Sequence, residues 1–423
     1  MAEVVAGAQA RGGLRSLVPA MLMTSILGYS LQLAVPLIVD STTYVQFSTF
    51  WATLFLCVAA CAGVQQEVTR ASAPTVGGTA SSAVLRRYAT IVAISSLCVA
   101  LVVGVVVATT VMRVEIAAVV IALTLGVVGY AILASVAGAM YGMRRWSGVI
   151  WSILADPVLR TVTVGIVAVA ALVLGRAPDL TPLMFAVALP FVLAAVIVGY
   201  RFRGDLSKHL TLDTPVGGLL RNTMHTVVAA TSTGLMVSGL PLLIGAIGHA
   251  APASLVAGSI LLVTVVRAPL ISPMLALQSF LTVSFRSEPA RANRRVVLIS
   301  AVILGVAGVL AVIVALWGPA VVAAIVPRYT LPEAPALVAS LLSAGLVAVL
   351  CVTGAAVLAR GSHRLFAAGW VVSSVVMVAV ALVPLPFTWR LALTLLVGPA
   401  VGVGVHAAGL LRARIPSRSD PYN

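Results

Sequence analysis

One arginine lies deep within an apolar stretch of the sequence, where a permanent charge is costly unless it faces protein or water. Arg267 follows about 14 largely apolar residues and is itself followed, two positions later, by Pro269. A guanidinium is always charged and binds phosphate groups as a planar fork. We therefore predict that Arg267 binds an anionic substrate group such as a pyrophosphate. The alternative is a structural arginine that pairs with a carboxylate or with carbonyls beside Pro269.

A second charged pair lies inside another apolar stretch. Asp156 and Arg160 are four positions apart, a spacing that permits an ion pair along one face of a helix. In the functional interpretation, Asp156 is a proton or cation site and Arg160 competes for it or contacts the substrate. In the structural interpretation, the two residues form only an ion pair near the lipid headgroups.

A third polar group closes an apolar stretch near residue 70. Glu67 and Arg70 are spaced for an ion pair, and Gln66 adds an amide beside them. Gln66 and Arg70 are candidate ligands of a sugar or headgroup, and Glu67 is a candidate ion-coupling residue. An ordinary solvated helix end accounts equally well for this run.

Two glutamines complete the predicted site. Gln32 and Gln278 each lie in an apolar stretch and are candidates for lining a hydrophilic path. Each glutamine alone also fits a hydrogen bond between neighbouring helices. Pro36 and Pro241 occupy similar places in two of these stretches and predict kinked helices.

The elements that hold these residues are membrane-spanning helices. Of the 423 residues, 61% are hydrophobic and 9% are charged, which excludes a soluble enzyme and a disordered regulator. A helix needs roughly 20 apolar residues to cross a bilayer, and about 12 segments meet that requirement. We place the spans near 17–39, 45–64, 88–112, 116–140, 149–174, 182–200, 222–247, 253–284, 296–317, 334–359, 364–384 and 389–411.

The net charge of +15 is explained by membrane topology. With the N-terminus in the cytoplasm, 20 of the 26 Lys and Arg residues fall in cytoplasmic segments, Arg414 and Arg418 among them, and four fall in outer loops. This bias is typical of positive-inside insertion. It predicts that both termini are cytoplasmic, and it argues against a nucleic-acid partner because no basic cluster lies on a separate soluble domain.

The spans divide into two halves. We predict an all-α polytopic protein with an N-terminal six-helix bundle over 1–205 and a C-terminal bundle over 206–423, related as a parallel pseudo-repeat around a central cavity. No hydrolase, metalloprotease or nucleotide-binding motif is present. The four cysteines suggest neither a metal site nor a disulfide framework. We therefore expect no catalytic residue, no metal and no cofactor.

The first two spans resemble a known family. Residues 44–48 (YVQFS) open the second span and residues 63–70 (GVQQEVTR) close it. This pattern resembles that of the O-antigen-translocase-like polysaccharide-transport flippases of the multidrug/oligosaccharidyl-lipid/polysaccharide exporter superfamily. The resemblance implies two six-helix bundles around a basic cavity, and movement of polyprenyl-linked sugars between leaflets. The chain departs from the family in its few cavity charges and its short outer loops.

From the residues and the resemblance together, we expect a flippase of the bacterial plasma membrane. It would move a polyprenyl-phosphate-linked saccharide to the outer leaflet by alternating access through a cationic cavity, for cell-envelope glycan assembly. Its expected partners are that saccharide, membrane lipids and glycosyltransferases of the same pathway. One alternative is a cation-coupled multidrug exporter. Another is a glycosyltransferase that uses a lipid-phosphate sugar and Asp40 as its acid, and a third is a scaffold without transport activity.

Overall fold

Long apolar runs fold as helices here because only a helix satisfies its backbone polar groups within a single membrane span. A computed structural model of the chain describes residues 2–72, 79–80 and 82–412. By its contacts the chain forms two units, residues 1–261 with Val326–Tyr329, and residues 262–325 with 330–423. The helices of the first unit are α1 (Ala2–Ile38), α2 (Ser41–Ala71), α3 (Ser82–Val107), α4 (Ile116–Gly142), α5 (Trp146–Val173), α6 (Leu180–Arg201), α7 (Arg203–His209), α8 (Val216–Val237) and α9 (Leu240–Ile247).

Two small features complete the first unit. A π-helical turn, Ala108–Met112, continues α3 at its end. Strands β1 (Thr79–Ala80) and β2 (Thr211–Leu212) pair antiparallel, with Thr79 opposite Leu212. This short ribbon joins the segment before α3 to the segment before α8.

The second unit contains the remaining helices. Helix α10 begins in the first unit and continues into the second. The helices are α10 (Ala253–Ser287), α11 (Pro289–Ile325), α12 (Ala334–Ala359), α13 (His363–Ala381) and α14 (Phe387–Arg412). Helix α12 packs against α11 and α14, and 83% of its most apolar window is buried, against 17% for α11. Helix α12 is therefore the buried centre of this unit, and α11 carries an exposed apolar surface suited to lipid.

Helix α2 is the corresponding centre of the first unit. It packs against α4 and α8, and close approach depends on glycine at both contacts. A Cβ atom added at Gly138 of α4 would lie 2.7 Å from the carbonyl oxygen of Gln65, and one at Gly63 of α2 would lie 2.6 Å from the backbone nitrogen of Val227. The contacts of α2 with both neighbours are therefore backbone-to-backbone in character.

The predicted all-α polytopic fold class is confirmed. Among the described residues, 11 helices are long and apolar enough to cross a membrane, and α8 with α9 makes a twelfth if the bent pair forms one span. The predicted seventh span is not a single helix. It is broken between Val237 and Leu240 and bent by 63°, because Pro241 has no N–H with which to continue the ladder of α8.

The predicted bundle boundary at residue 205 stays a prediction. In the structure, α8 and α9 pack against α2 and belong to the first unit. Arg414 and Arg418, two of the arginines assigned to the cytoplasm, lie outside the described residues.

Candidate functional site

The Asp156–Arg160 ion pair predicted from spacing is present on α5. Nη2 of Arg160 donates to both carboxylate oxygens of Asp156. The Arg160 side chain is 3% exposed and that of Asp156 is 14% exposed. Removing two charges from water is costly, and mutual pairing recovers part of that cost.

Three aromatic rings surround the same guanidinium. The Cζ atom of Arg160 lies 4.7 Å from the ring centroids of both Phe55 and Phe191 and 5.4 Å from that of Trp51. Cation–π attraction is strongest where the cation is desolvated. The rings of α2 and α6 therefore stabilise a charge that α5 carries at membrane depth. We call Asp156, Arg160, Trp51, Phe55 and Phe191 the arginine cage.

Sequence reasoning missed the aromatic part of the arginine cage. Trp51 and Phe55 are four positions apart, which puts both on one face of α2. Phe191 follows Pro190 on α6. The spacing on α2 indicates that the two rings share a face. Nothing local in the sequence indicates that side chains of α2, α5 and α6 meet.

Glu67 and Arg70 form a second predicted pair, at the end of α2. Nε and Nη2 of Arg70 donate to the two carboxylate oxygens of Glu67 at 2.9 and 2.7 Å. Glu67 is buried and also accepts from Nδ2 of Asn222 on α8 at 2.9 Å. Arg70 in turn reaches Asp213 at 3.1 Å, just before α8. This arrangement, which we call the α2–α8 clamp, ties α8 to α2.

Hydroxyl groups extend the clamp along α8. Thr226 donates to the carbonyl oxygen of Gly63 at 2.9 Å. Thr223 and Tyr88 of α3 share a hydrogen bond of 2.6 Å between their hydroxyls. The polar run at 222–226 was not predicted to be part of a site, although Asn222 and Thr226 are spaced to lie on one face of the helix.

Arg267 is buried in the second unit, on α10. Its side chain is 5% exposed, and its Nη1 donates to the hydroxyl of Ser343 on α12 at 2.8 Å. The hydroxyl of Ser343 in turn donates a hydrogen bond to the carbonyl oxygen of Ser340 at 2.9 Å. The hydroxyl of Ser343 is neutral, so this hydrogen bond does not neutralise the guanidinium of Arg267.

The predicted glutamines lie in different settings. Gln66 is exposed at the end of α2, while Gln32 of α1 is half-buried. Gln278 of α10 is half-buried, and its Nε2 atom has no hydrogen-bond partner among the described residues. A buried amide without a partner is costly, so Gln278 is the glutamine best placed to gain from a bound polar ligand.

The eight candidates thus form separate groups within each unit. The first unit holds the cage pair and the clamp pair together with Gln66 and Gln32, and the second unit holds Arg267 and Gln278 on one helix. Their substrate-binding and ion-coupling roles stay predictions. Within the described part of the chain, no group of three or more His, Cys, Asp and Glu residues is arranged to hold a metal ion.

Asp40, the candidate acid of the glycosyltransferase alternative, caps α2. Its carboxylate accepts from the backbone N–H groups of Thr42 and Thr43 and from the Thr43 hydroxyl, at 2.7–3.0 Å. Partial burial acts to raise the pKa of Asp40, but the hydrogen bonds from Thr43 and Thr42 outweigh it and the pKa lies below its ordinary value. A general acid needs a raised pKa, so this environment favours the capping role.

The Val326–Tyr329 segment adds a contact at the same end of α1. The last carbonyls of a helix have no partner within it, and here Arg328 donates to the carbonyl of Leu37 and Tyr329 donates to that of Pro36, the latter at 3.0 Å. The ring of Tyr329 also stacks on Tyr44 at a centroid distance of 5.4 Å. The sequence alone predicted no role for this segment.

Comparisons of the sequence with known proteins identify relatives but no family model. No protein-family model matches the chain. An uncharacterized protein of Mycobacterium bovis and one of Mycobacterium tuberculosis are each 30% identical over 293 residues, which is 69% of this chain. The match spans 66% of the length of each of these relatives, slightly less than two thirds.

Solved structures resemble the chain over nearly its whole length. The lipid II flippase MurJ, in an inward closed conformation, has a TM-score of 0.69 at 9% identity, covering 93% of this chain and 87% of that one. A multidrug resistance MATE family transporter of the MOP superfamily, in its inward-facing conformation, has a TM-score of 0.57 at 14% identity, covering 92% and 98%. The chain therefore has the polytopic all-α transporter fold that a lipid II flippase and MATE transporters share.

Proposed function

We propose that the chain is a membrane transporter of the MOP superfamily that flips a polyprenyl-phosphate-linked saccharide across the bacterial plasma membrane. The saccharide would move from the cytoplasmic to the outer leaflet for cell-envelope glycan assembly, by alternating access through a cationic cavity. The proposal includes both termini in the cytoplasm and glycosyltransferases of the same pathway as partners. It also includes the absence of a catalytic activity.

The observation that carries this proposal is the burial of Arg267 at membrane depth. It is 5% exposed and bonded to a neutral serine, within a fold that resembles a lipid II flippase. An intramembrane arginine is expensive, and such residues mark substrate pathways. A phosphate-linked headgroup supplies the negative charge that this guanidinium binds best.

The Arg160 cage supports an anionic substrate less directly. Asp156 already neutralises Arg160, so Arg160 attracts an anion only if Asp156 is protonated or displaced. This arrangement fits the predicted ion-coupling role of Asp156, because protonation of the carboxylate would release the cation. Arg267 is therefore the first residue to test, and Asp156 is the second.

The experiment is leaflet-resolved transfer of a lipid-linked saccharide in proteoliposomes. The Arg267→Ala variant should transfer it about 10- to 150-fold more slowly, because hydrogen bonds to charged groups contribute about 1.5–3 kcal/mol. The matched control is Arg176→Ala, which removes an arginine whose side chain is 61% exposed and pairs with Asp179. Equal transfer by wild type and Arg267→Ala at equal protein abundance contradicts the role of Arg267.

A cation-coupled multidrug exporter is the second candidate, because the fold also resembles a MATE transporter at a TM-score of 0.57. A site for a cationic drug favours an accessible carboxylate. The carboxylate of Asp156 is bonded to Arg160, which disfavours direct binding of a drug there. Drug accumulation in cells with and without the protein separates the two candidates.

A further inference from the structure

A groove on the first unit is lined by none of the four residues of the two ion pairs, Asp156, Arg160, Glu67 and Arg70. It has a volume of about 860 Å³ and runs between α3, α4 and α6. Its wall includes Ile94 and Leu97 of α3, Ile132 of α4 and Val196 of α6. Of these, Ile94 and Val196 are strongly exposed, so the groove opens towards the surroundings of the helices.

The hydroxyl groups on the wall do little to make it polar. Thr90 and Ser135 each donate to a backbone carbonyl of their own helix at 3.0 Å. The hydroxyl of Thr124, which also lines the groove, has no hydrogen-bond partner among the described residues. A sugar in this groove would leave most of its hydroxyls unpartnered, which is unfavourable. A hydrocarbon chain would instead gain from burial against the wall.

On α3 and α6, the groove occupies the part of the helix nearest the predicted cytoplasmic side. Helix α3 contributes residues 85–97, near its beginning, and α6 contributes 192–200, near its end. Both of these helix ends carry arginines assigned to the cytoplasm. The groove therefore opens at the predicted cytoplasmic side and, along α4, extends past the middle of the helix to Thr124.

Two arginines lie at the mouth of the groove. Arg86 lines it directly, and the Cζ atom of Arg203 lies 4.4 Å from the ring centroid of Tyr200, which also lines it. The nearby carboxylate of Asp205 is bonded to Arg145 at 3.1 Å. Within the described residues, no carboxylate lies within the 4.0 Å ion-pair distance of Arg86 or Arg203.

We propose that this groove binds the hydrocarbon tail of the phosphate-linked lipid, with the phosphate at Arg86 and Arg203. An apolar channel with a cationic mouth at the membrane interface matches the charge distribution of such a lipid. The inference deepens the proposed function and rests on it, since the occupant is the tail of the proposed substrate. The groove holds the tail before the headgroup is transferred.

Gly199 allows the groove to be filled without disturbing its wall. It lines the groove, and a Cβ atom added there would meet no atom within 4 Å. The Gly199→Phe variant should therefore fold and block the tail. Gly165 of α5 is the matched control, because an added Cβ atom there also meets nothing within 4 Å and the residue does not line the groove. Val196→Trp, one turn before Gly199, is a second blocking variant.

The experiment uses a polyprenyl phosphate with a photoreactive diazirine near the end of its tail. Purified protein in proteoliposomes is labelled by light, and the labelled peptides are identified by mass spectrometry. We expect labelling on α3, α4 and α6 that excess polyprenyl phosphate suppresses more strongly than phosphatidylglycerol does. Gly199→Phe should lower labelling about tenfold, equivalent to losing about two buried methylenes, whereas Gly165→Phe should match wild type. Arg86→Gln with Arg203→Gln should weaken competition by the phosphate lipid.

Three results overturn the inference. They are labelling outside the groove, equal competition by phosphatidylglycerol, and unchanged labelling in both Gly199→Phe and Val196→Trp. A failure of the proposed function is distinguished from a failure of the groove assignment by comparing photolabelling with saccharide transfer. If groove labelling survives all controls but wild type moves no saccharide, the lipid site stands and the flippase function fails. If wild type moves saccharide and Gly199→Phe does so equally well, the function stands and the groove assignment fails.

Discussion

At the scale of single residues, the arginine cage shows how a permanent charge is accommodated among apolar helices. Arg160 is 3% exposed, with one carboxylate and three aromatic rings around it. Breaking a buried pair leaves an uncompensated charge, whereas replacing both partners with apolar residues is often neutral. This difference separates a structural role from a functional one.

We predict that Asp156→Leu alone lowers stability by about 3–5 kcal/mol, since it leaves Arg160 buried without its carboxylate. Asp156→Leu with Arg160→Leu should restore most of that loss. The measurement is the thermal unfolding midpoint in detergent, together with transfer of the lipid-linked saccharide.

The double variant separates a structural role from a role in transport, because its stability should be near that of wild type. If the cage takes part in transport, this stable variant should transfer the saccharide poorly. Wild-type transfer by the stable double variant would show that the pair is only structural.

A second residue-scale prediction concerns the cap of α2. Asp40→Ala should lower stability at neutral pH by about 1 kcal/mol, as N-cap replacements do, and Asp40→Asn should lower it less. The lowered pKa of Asp40 means that its contribution is present above the unfolded value of about 3.9. That contribution is lost as the pH falls through the folded value.

The check is the unfolding midpoint of wild type and Asp40→Ala at pH 7 and at pH 3. The difference between the two proteins should be smaller at pH 3. An equal difference at both values contradicts a capping role for the ionised carboxylate.

At the scale of elements, the α2–α8 clamp holds the seventh predicted span against the second. Glu67 is buried and bonded to both Arg70 and Asn222. Glu67 and Arg70, which lie in the run that resembles the flippases, therefore help to hold α8 against α2 in this chain. That task is compatible with a substrate role for Arg70, whose side chain remains 49% exposed.

We predict that Asn222→Ala loosens α8, because it removes a donor to a buried, charged carboxylate. Hydrogen–deuterium exchange of backbone amides in Val216–Val237 should become faster. Arg221→Ala is the control, since Arg221 is the exposed neighbour. Equal exchange in the two variants would mean that the clamp does not hold α8.

The glycine contact between the same helices gives another prediction. Gly63→Ala places a Cβ atom 2.6 Å from the backbone nitrogen of Val227, and a backbone contact can be relieved only by separating the helices. Overpacking of this kind lowers stability by about 1–3 kcal/mol. The readout is the unfolding midpoint, and Gly28→Ala, which meets nothing within 4 Å, should leave it nearly unchanged.

At the scale of the whole molecule, the sequence predicted the spans well because a local run of roughly 20 apolar residues indicates each one. Even the break in the seventh span has a local cause, since Gly239 and Pro241 adjoin it. The Asp156–Arg160 and Glu67–Arg70 pairs also follow from spacing on one helix, and both are present.

Contacts between distant segments were not predictable in this way. Asn222 bonds to Glu67 across 155 positions, and Tyr329 bonds to Pro36 across 293. Periodicity identifies the faces of a helix but not its neighbours. The groove between α3, α4 and α6 was not predictable for the same reason, because its shape depends on which helices pack side by side.

Movement of a phosphate-linked lipid saccharide between leaflets, the proposed function of this chain, is open to direct measurement. The direct measurement is the appearance of a fluorescent lipid-linked saccharide on the opposite leaflet of proteoliposomes, read by quenching from outside and compared with protein-free vesicles and with Arg267→Ala. We expect rapid transfer by wild type and transfer by Arg267→Ala that is about 10- to 150-fold slower. Transfer by wild type no faster than in protein-free vesicles would contradict the account.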